Sequence, residues 1–171
     1  MANLPTRFLL FLSSYSPLLL ILAIRDSFKN RTIAIVLVVL AIISVIALFG
    51  YLRLTATYEP VTVKLNSISS KDSDAIGYIV SYLIPFLDVQ FAEPQNAVAL
   101  GVLFLVIGIL YVNSNMIYTN PILNLFRYHI FEVEVGDGKK TALITHREYI
   151  QTGTEVRIVP LGNFVAMEAQ E

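Results

Sequence analysis

The stretch IAIVLVVLAIISVIALFGYL, Ile33 to Leu52, decides the class of this protein. It is 20 residues without a charge, with Ser44 as its strongest polar group. A hydrocarbon core of roughly 30 Å takes about 20 apolar helical residues, so this stretch alone is long enough to cross a bilayer. Three more uncharged runs flank it: Phe8 to Ile24, Ala75 to Leu87 and Ala97 to Val112. The whole chain of 171 residues is 56% hydrophobic with a mean hydropathy of +0.67. That is too apolar for an ordinary soluble domain, and a polytopic membrane protein is expected.

The expected fold class is an α-helical membrane protein: four transmembrane helices plus a small C-terminal strand-rich cytoplasmic domain. The spans are placed at about 8–24, 33–52, 74–91 and 97–113, making residues 1–113 a four-helix transmembrane domain with a structured connection over 53–73. Residues 114–171 form the β-rich domain. A cleaved secretory signal is a poor alternative at the N-terminus, because Leu18 to Ala23 runs into Arg25 and Asp26 instead of a small-residue cleavage site.

Each span carries its own packing signal. In the first, Ser13, Ser14 and Pro17 mark either a hinge with a polar seam or a tolerated membrane proline whose lost hydrogen bond the serines replace. The third, with Pro85 near its middle, is long enough only if its helix starts at an Asp72, Ser73 or Asp74 cap and continues to Phe91. Within it Tyr78 and Tyr82, four residues apart, share one helical face. In the fourth, Ala97 and Gly101 form a small-xxx-small pair with Gly108 further along, which permits close helix approach.

The connection alternates Val61, Val63 and Leu65 with Thr62, Lys64 and Asn66, as a half-exposed strand would. After Ser114, Asn120 and Pro121 fit an N-cap and first helical position, opening a short amphipathic turn from Ile122 to Phe126. Tyr128 to Val135 and Thr141 to Thr145 read as strands joined by Gly136, Asp137 and Gly138. Glu155 to Val159 and Asn163 to Met167 are two further candidates. So small a meander is marginal alone and is expected to lean on membrane, a second copy or a partner.

Both termini are expected in the cytoplasm. That arrangement puts nine basic residues inside and only Arg25, Lys29 and Arg31 outside. The net charge of −1, and a tail with 5 basic and 7 acidic residues, argue against direct nucleic-acid binding.

No catalytic motif is present, so no enzyme activity and no cofactor are expected. Without cysteine, disulfides and cysteine-ligated metals are excluded. His129 and His146 could meet across a hairpin, but no metal site is expected of them. Glu132 and Glu134 share a strand face, and Lys139 and Lys140 sit near a turn where they could touch phospholipid headgroups or an acidic partner. The uncharged cores of the spans hold no Asp, Glu, Lys, Arg or His, which disfavours a proton-coupled transporter. A passive pore lined by Ser13, Ser14, Tyr78, Ser81, Tyr82 and Asn113 stays open as an alternative.

Two segments add a resemblance. YIVSYLIPFL, Tyr78 to Leu87, and NPILNLFRYHIFEVEV, Asn120 to Val135, followed by LITHREY, Leu143 to Tyr149, resemble the KwaA family, the membrane subunits of the Kiwa anti-phage defence system. The likeness covers about half of the chain in sequence and the first two spans in hydropathy alone. It implies a non-enzymatic bacterial inner-membrane protein that forms a homo-oligomer, tetramer-like, and detects membrane events accompanying phage infection. It also implies recruitment or regulation of a cytoplasmic DNA-binding effector, KwaB.

On that view span packing and oligomer contacts fall on Ser13, Ser14, Pro17, Tyr78, Tyr82, Ala97, Gly101 and Gly108. Partner docking falls on Tyr128, Glu132, Glu134, Lys139, Lys140, His146 and Arg147. The competing functions are a pore-forming effector that depolarises the cell, and a membrane-anchored adaptor unrelated to defence.

Overall fold

A computed structural model describes residues 4–25, 28–78, 93–113, 120–136, 138–162 and 164–169. The first apolar run forms α1 (Leu4–Ser14) and α2 (Ser16–Ile24), interrupted at Tyr15. Pro17 has no N–H to give the Ser13 carbonyl four residues earlier, and the Ser16 hydroxyl donates to that carbonyl instead at 2.8 Å. Ser13 and Ser14 likewise turn their hydroxyls onto the carbonyls of Leu10 and Phe11.

Helix α3 (Arg31–Thr55) starts at Asn30, whose side chain accepts from the Thr32 and Ile33 amides. Ala41, Ser44, Leu48, Leu52 and Thr55 form its buried stripe at helical spacing. The opposite side, including Ile35, Val39, Ile42 and Ile46, is exposed and just as apolar.

Strand β1 (Val61–Ser70) follows, then a short α4 (Asp72–Tyr78) and the apolar α5 (Pro94–Asn113). Helix α5 packs on α1 through an aromatic cluster, in which the Phe11 and Tyr111 rings are 5.3 Å apart and those of Tyr15 and Phe104 are 4.6 Å apart. A short α6 (Pro121–Leu125) leads into β2 (His129–Val135), β3 (Lys139–Thr145), β4 (Glu155–Pro160) and β5 (Val165–Glu168).

The five strands close into a barrel in the order β1-β2-β3-β5-β4. β1 serves two neighbours, Val61 to Lys64 pairing with β4 and Leu65 to Ser70 with β2, across a register shift between Leu65 and Ser67. A bulge there reverses the side-chain alternation, so Val63 and Leu65 before it and Ile68 after it all reach the barrel core. β3 and β5 run parallel, and the other neighbours are antiparallel. This connectivity, with the long first strand shared between the second and fourth, is that of an OB-type barrel.

The barrel has an inner and an outer apolar set. Leu65, Phe131, Val133, Leu143, Val156 and Ala166 fill the inside. Ile130, Ile144, Val165 and Met167, with the opposite parity, point outward and join one cluster with Ile122 and Leu123 of α6 and the buried residues of α1, α2 and α3. Tyr51 near the end of α3 donates its hydroxyl to the Leu161 carbonyl at 3.4 Å, and Phe49 meets Phe126 edge-on with ring centroids 4.6 Å apart. The outer β2-β3 surface, which OB barrels use for oligonucleotides, is thus partly covered by the chain's own helices.

These features overturn the expected four-helix membrane class. Among the described residues two helices are long and apolar enough to cross a membrane, Arg7–Ile24 (α1 with α2) and Arg31–Thr55. The apolar part of α5, Gln95–Tyr111, is shorter, and the expected third span lies outside the described residues beyond Tyr78. The charge-free run does form one continuous helix in α5, but its apolar part, Gln95–Tyr111, falls short of the about 20 apolar residues that a hydrocarbon core takes. The polar connection, expected as a structured link with a half-exposed strand, supplies the first strand of a closed barrel.

Candidate functional site

Three of the expected docking residues, Tyr128, His146 and Arg147, converge on one cavity of about 300 Å³ at the base of the β2-β3 hairpin. Its position follows from how α6 ends. The Tyr128 amide donates to the Leu123 carbonyl and the Arg127 amide to that of Asn124, a Schellman closure. The closure requires a left-handed residue, and Arg127 adopts it with φ 61° where glycine is usual. The reversal delivers Tyr128 to the start of β2, and the register His129↔Thr145 sets His146 beside it.

The Tyr128 and His146 rings lie 3.9 Å apart, and His146 Nδ1 is 3.1 Å from the Arg127 carbonyl oxygen. The Arg147 guanidinium pairs with the Glu168 carboxylate at 2.7 Å. The other Glu168 oxygen accepts from the Thr145 hydroxyl, and the Arg147 amide donates to that same hydroxyl at 3.0 Å. Ile144, Met167 and Ala169 complete the lining. An aromatic platform, an apolar floor and a guanidinium already neutralised by a carboxylate suit an extended peptide with a large side chain better than a phosphate. Glu168 and Thr145 were not singled out from sequence. Glu168 reaches the site through the parallel pairing of β5 with β3, for which no local pattern exists.

Of the other docking candidates, Glu134, Lys139 and Lys140 lie at the far end of the same hairpin, roughly 20 Å away at about 3.3 Å per residue, and Glu132 sits at the middle of β2. There Lys140 pairs with Glu132 at 3.0 Å, Glu134 is half-buried, and Lys139 is exposed. One contiguous surface containing all seven residues is not formed.

Two polar ties link elements distant in sequence, one joining α4 to the barrel and one joining α6 to α1. Asp72 at the start of α4 accepts from the Ile130 amide at 3.0 Å with one oxygen and lies 2.7 Å from His129 Nδ1 with the other. The two histidines therefore face different partners, and among the described residues no group of three His, Cys, Asp or Glu could hold a metal. Asn120, 0% exposed, caps α6 through the Ile122 amide and donates its side-chain amide to the Leu10 carbonyl and to the Ser13 hydroxyl. Ser13 thus serves a tie within the chain.

Of the remaining packing candidates, Pro17 sits at the α1-α2 break and Gly108 lies against Phe11, a Cβ there meeting the ring at 3.2 Å. Ala97 and Gly101 line an open apolar groove, and a Cβ on Gly101 would meet nothing within 4 Å. Tyr82 and Ser81 lie outside the described residues, as do the side chains of Tyr78 and Asn113.

The comparisons with known proteins agree on one family. The family model described as anti-phage protein KwaA matches residues 6–167. A Kiwa protein KwaA of Escherichia coli O55:H7 (strain RM12579 / EPEC) is 30% identical over 86 residues, which is 48% of this chain and 44% of that protein. The aligned part is therefore less than half of that relative's length. No solved structure matches significantly. With the family match running over nearly the whole length, from α1 to the last barrel strand, the chain belongs to the KwaA family of anti-phage proteins.

Proposed function

We propose that this chain is the membrane-anchored sensor of a two-protein defence system, holding its barrel at the cytoplasmic face to recruit or regulate the DNA-binding effector KwaB. The observation that carries the reading is α3. Only 17% of its most apolar stretch is buried inside the protein, against 50% for Arg7–Ile24, and what remains outside is Ile, Val and Leu. Such a surface needs lipid or another copy of the chain to cover it. Burial of one stripe by α1 and α2 leaves the rest for a homo-oligomer within the bilayer. The chain acts in this reading by binding and not by catalysis, with the Tyr128, His146 and Arg147 cavity as the docking point and Lys139, Lys140, Glu132 and Glu134 as a second, charged contact.

A conducting pore has less support. The Ser13 and Ser14 hydroxyls expected to line it are buried against their own backbone.

The test is co-expression of the full chain with KwaB, followed by carbonate washing of membranes and co-purification. Truncating an interface anchor typically weakens binding by 2 kcal/mol or more, about 30-fold. Tyr128→Ala with Arg147→Ala should therefore lose the effector while staying in the washed membrane. Undiminished effector recovery would refute the docking site, and release of the parent chain by carbonate would refute the anchor.

A further inference from the structure

We propose that the groove between α1-α2, α3 and α5 is a binding site for one anionic glycerophospholipid, with an acyl chain in the groove and the phosphate on the basic turn that joins α2 to α3. The groove has a volume of about 870 Å³, within the roughly 300–1,000 Å³ of ordinary small-molecule sites. It runs along α1 and α2 from Phe8 to Leu22, about 20 Å at 1.5 Å per residue, and reaches Phe28 in the turn.

Every side chain lining it is apolar. A peptide laid there would leave its backbone groups without hydrogen-bond partners, whereas a hydrocarbon chain needs none. At the turn end the character changes. Arg25, Lys29 and Arg31 are all exposed within seven residues, a stretch whose sequence holds a single acid, Asp26. Among the described residues none of the three takes part in an ion pair.

A second crease of about 270 Å³, lined by Ala23, Ile24, Arg31 and Val38 among others, reaches the same turn from α2 and α3. Two apolar channels meeting at one cationic turn match the shape of a two-chain lipid with a negative headgroup. A second copy of this chain fits less well, because a symmetric contact at the turn would oppose two clusters of like charge. The inference rests on membrane insertion as proposed above.

The experiment uses the full chain in nanodiscs of equal parts phosphatidylglycerol and phosphatidylcholine, extracted into detergent and weighed by native mass spectrometry. The parent should retain about one phosphatidylglycerol per chain with at least tenfold preference over phosphatidylcholine. Arg25→Gln with Lys29→Gln and Arg31→Gln, all at exposed positions, should keep a lipid but lose the preference. Gly101→Trp, which places a ring in the open groove, should lose the lipid. The triple variant decides on its own if the tryptophan variant fails to fold.

Equal retention of the two lipids by the parent would overturn the proposal, as would an unchanged preference in the triple variant. The parent holds no cysteine, so efficient Gly101→Cys disulfide dimers in membranes would also overturn it, by assigning the groove to a second copy. A parent chain that carbonate strips from the membrane refutes the anchor itself, and an inserted chain without lipid preference refutes the lipid site alone.

Discussion

Replacing Asn120 separates two roles that one side chain performs. Its Oδ1 caps α6 at 3.0 Å from the Ile122 amide, and its Nδ2 ties that helix to α1, 3.2 Å from the Leu10 carbonyl and 2.9 Å from the Ser13 hydroxyl. Losing the cap costs about 1 kcal/mol. Each Nδ2 bond contributes about 0.5–1.5 kcal/mol net. The Leu10 carbonyl and the Ser13 hydroxyl still bond each other, so neither is left bare and the lower part of that range applies. Asn120→Ala should therefore cost roughly 2–3 kcal/mol, which at about 2–4 °C per kcal/mol for a chain of this size lowers the melting temperature by about 5–10 °C. Asn120→Asp is the discriminating variant. It caps a helix as well as Asn but turns a second carboxylate oxygen toward the Leu10 carbonyl in a fully buried site. If the tie to α1 matters, Asp is at least as harmful as Ala in detergent melts followed by far-ultraviolet circular dichroism. An Asp variant melting within about 1 °C of the parent, where a cap alone is at stake, would refute the tie.

Three further variants test the packing. Gly108→Ala pushes a methyl against Phe11, a ring held by Tyr15, Phe104 and Tyr111, and should destabilise by about 1 kcal/mol, whereas Gly101→Ala opens into space and should stabilise by about 0.5–1 kcal/mol through helix propensity. Thermal shifts of the same sign would contradict this account of the two glycines. Arg127→Gly relieves a left-handed residue at φ 61° and should raise stability by about 0.5–1 kcal/mol, and a lowered melting temperature would contradict the Schellman closure. Asp72→Ala removes the bonds to the Ile130 amide and to His129, at a cost of about 1–2 kcal/mol, and should speed hydrogen exchange at Ile130 more than at Val133. Equal exchange changes at both amides would mean that Asp72 does not hold the start of β2.

Local patterns made the elements legible and left the pairings hidden. The Val61, Val63 and Leu65 alternation identified β1, and Gly136 to Gly138 the β2-β3 turn, since both signals are complete within ten residues. Nothing local says that β1 pairs with β2, whose partner residues lie more than 60 positions away, or that the bulge near Asn66 returns Ile68 to the core. The helix count differs for another reason: a charge-free run marks apolar sequence but not enough of it, and the apolar part of α5, Gln95–Tyr111, is shorter than a full crossing takes. At the candidate site Tyr128 and His146 were found separately by type. Their stacking depends on the β2-β3 register and on a left-handed Arg127, and Glu168 depends on a parallel strand. Asp72 is one of three cap candidates by sequence, with Ser73 and Asp74, and its bonds to β2 have no sequence signature.

The barrel's topology also changes which experiment is informative. On the sequence alone, removing Tyr128 to Glu171 would delete a cytoplasmic tail and leave the membrane part whole. In the structure that cut removes β2, β3, β4 and β5 and leaves β1 with both edges unpaired over ten residues. It also strips Ile130, Ile144 and Met167 from the cluster that Ile122, Leu123 and the helices share. An unpaired apolar-faced strand is an aggregation template. The truncated chain should therefore accumulate poorly and elute as aggregate, and its failure to hold an effector would say nothing about docking. A truncated chain that inserts and elutes like the parent would mean that barrel and helices are energetically independent, and would count against Asp72 as the tie between them.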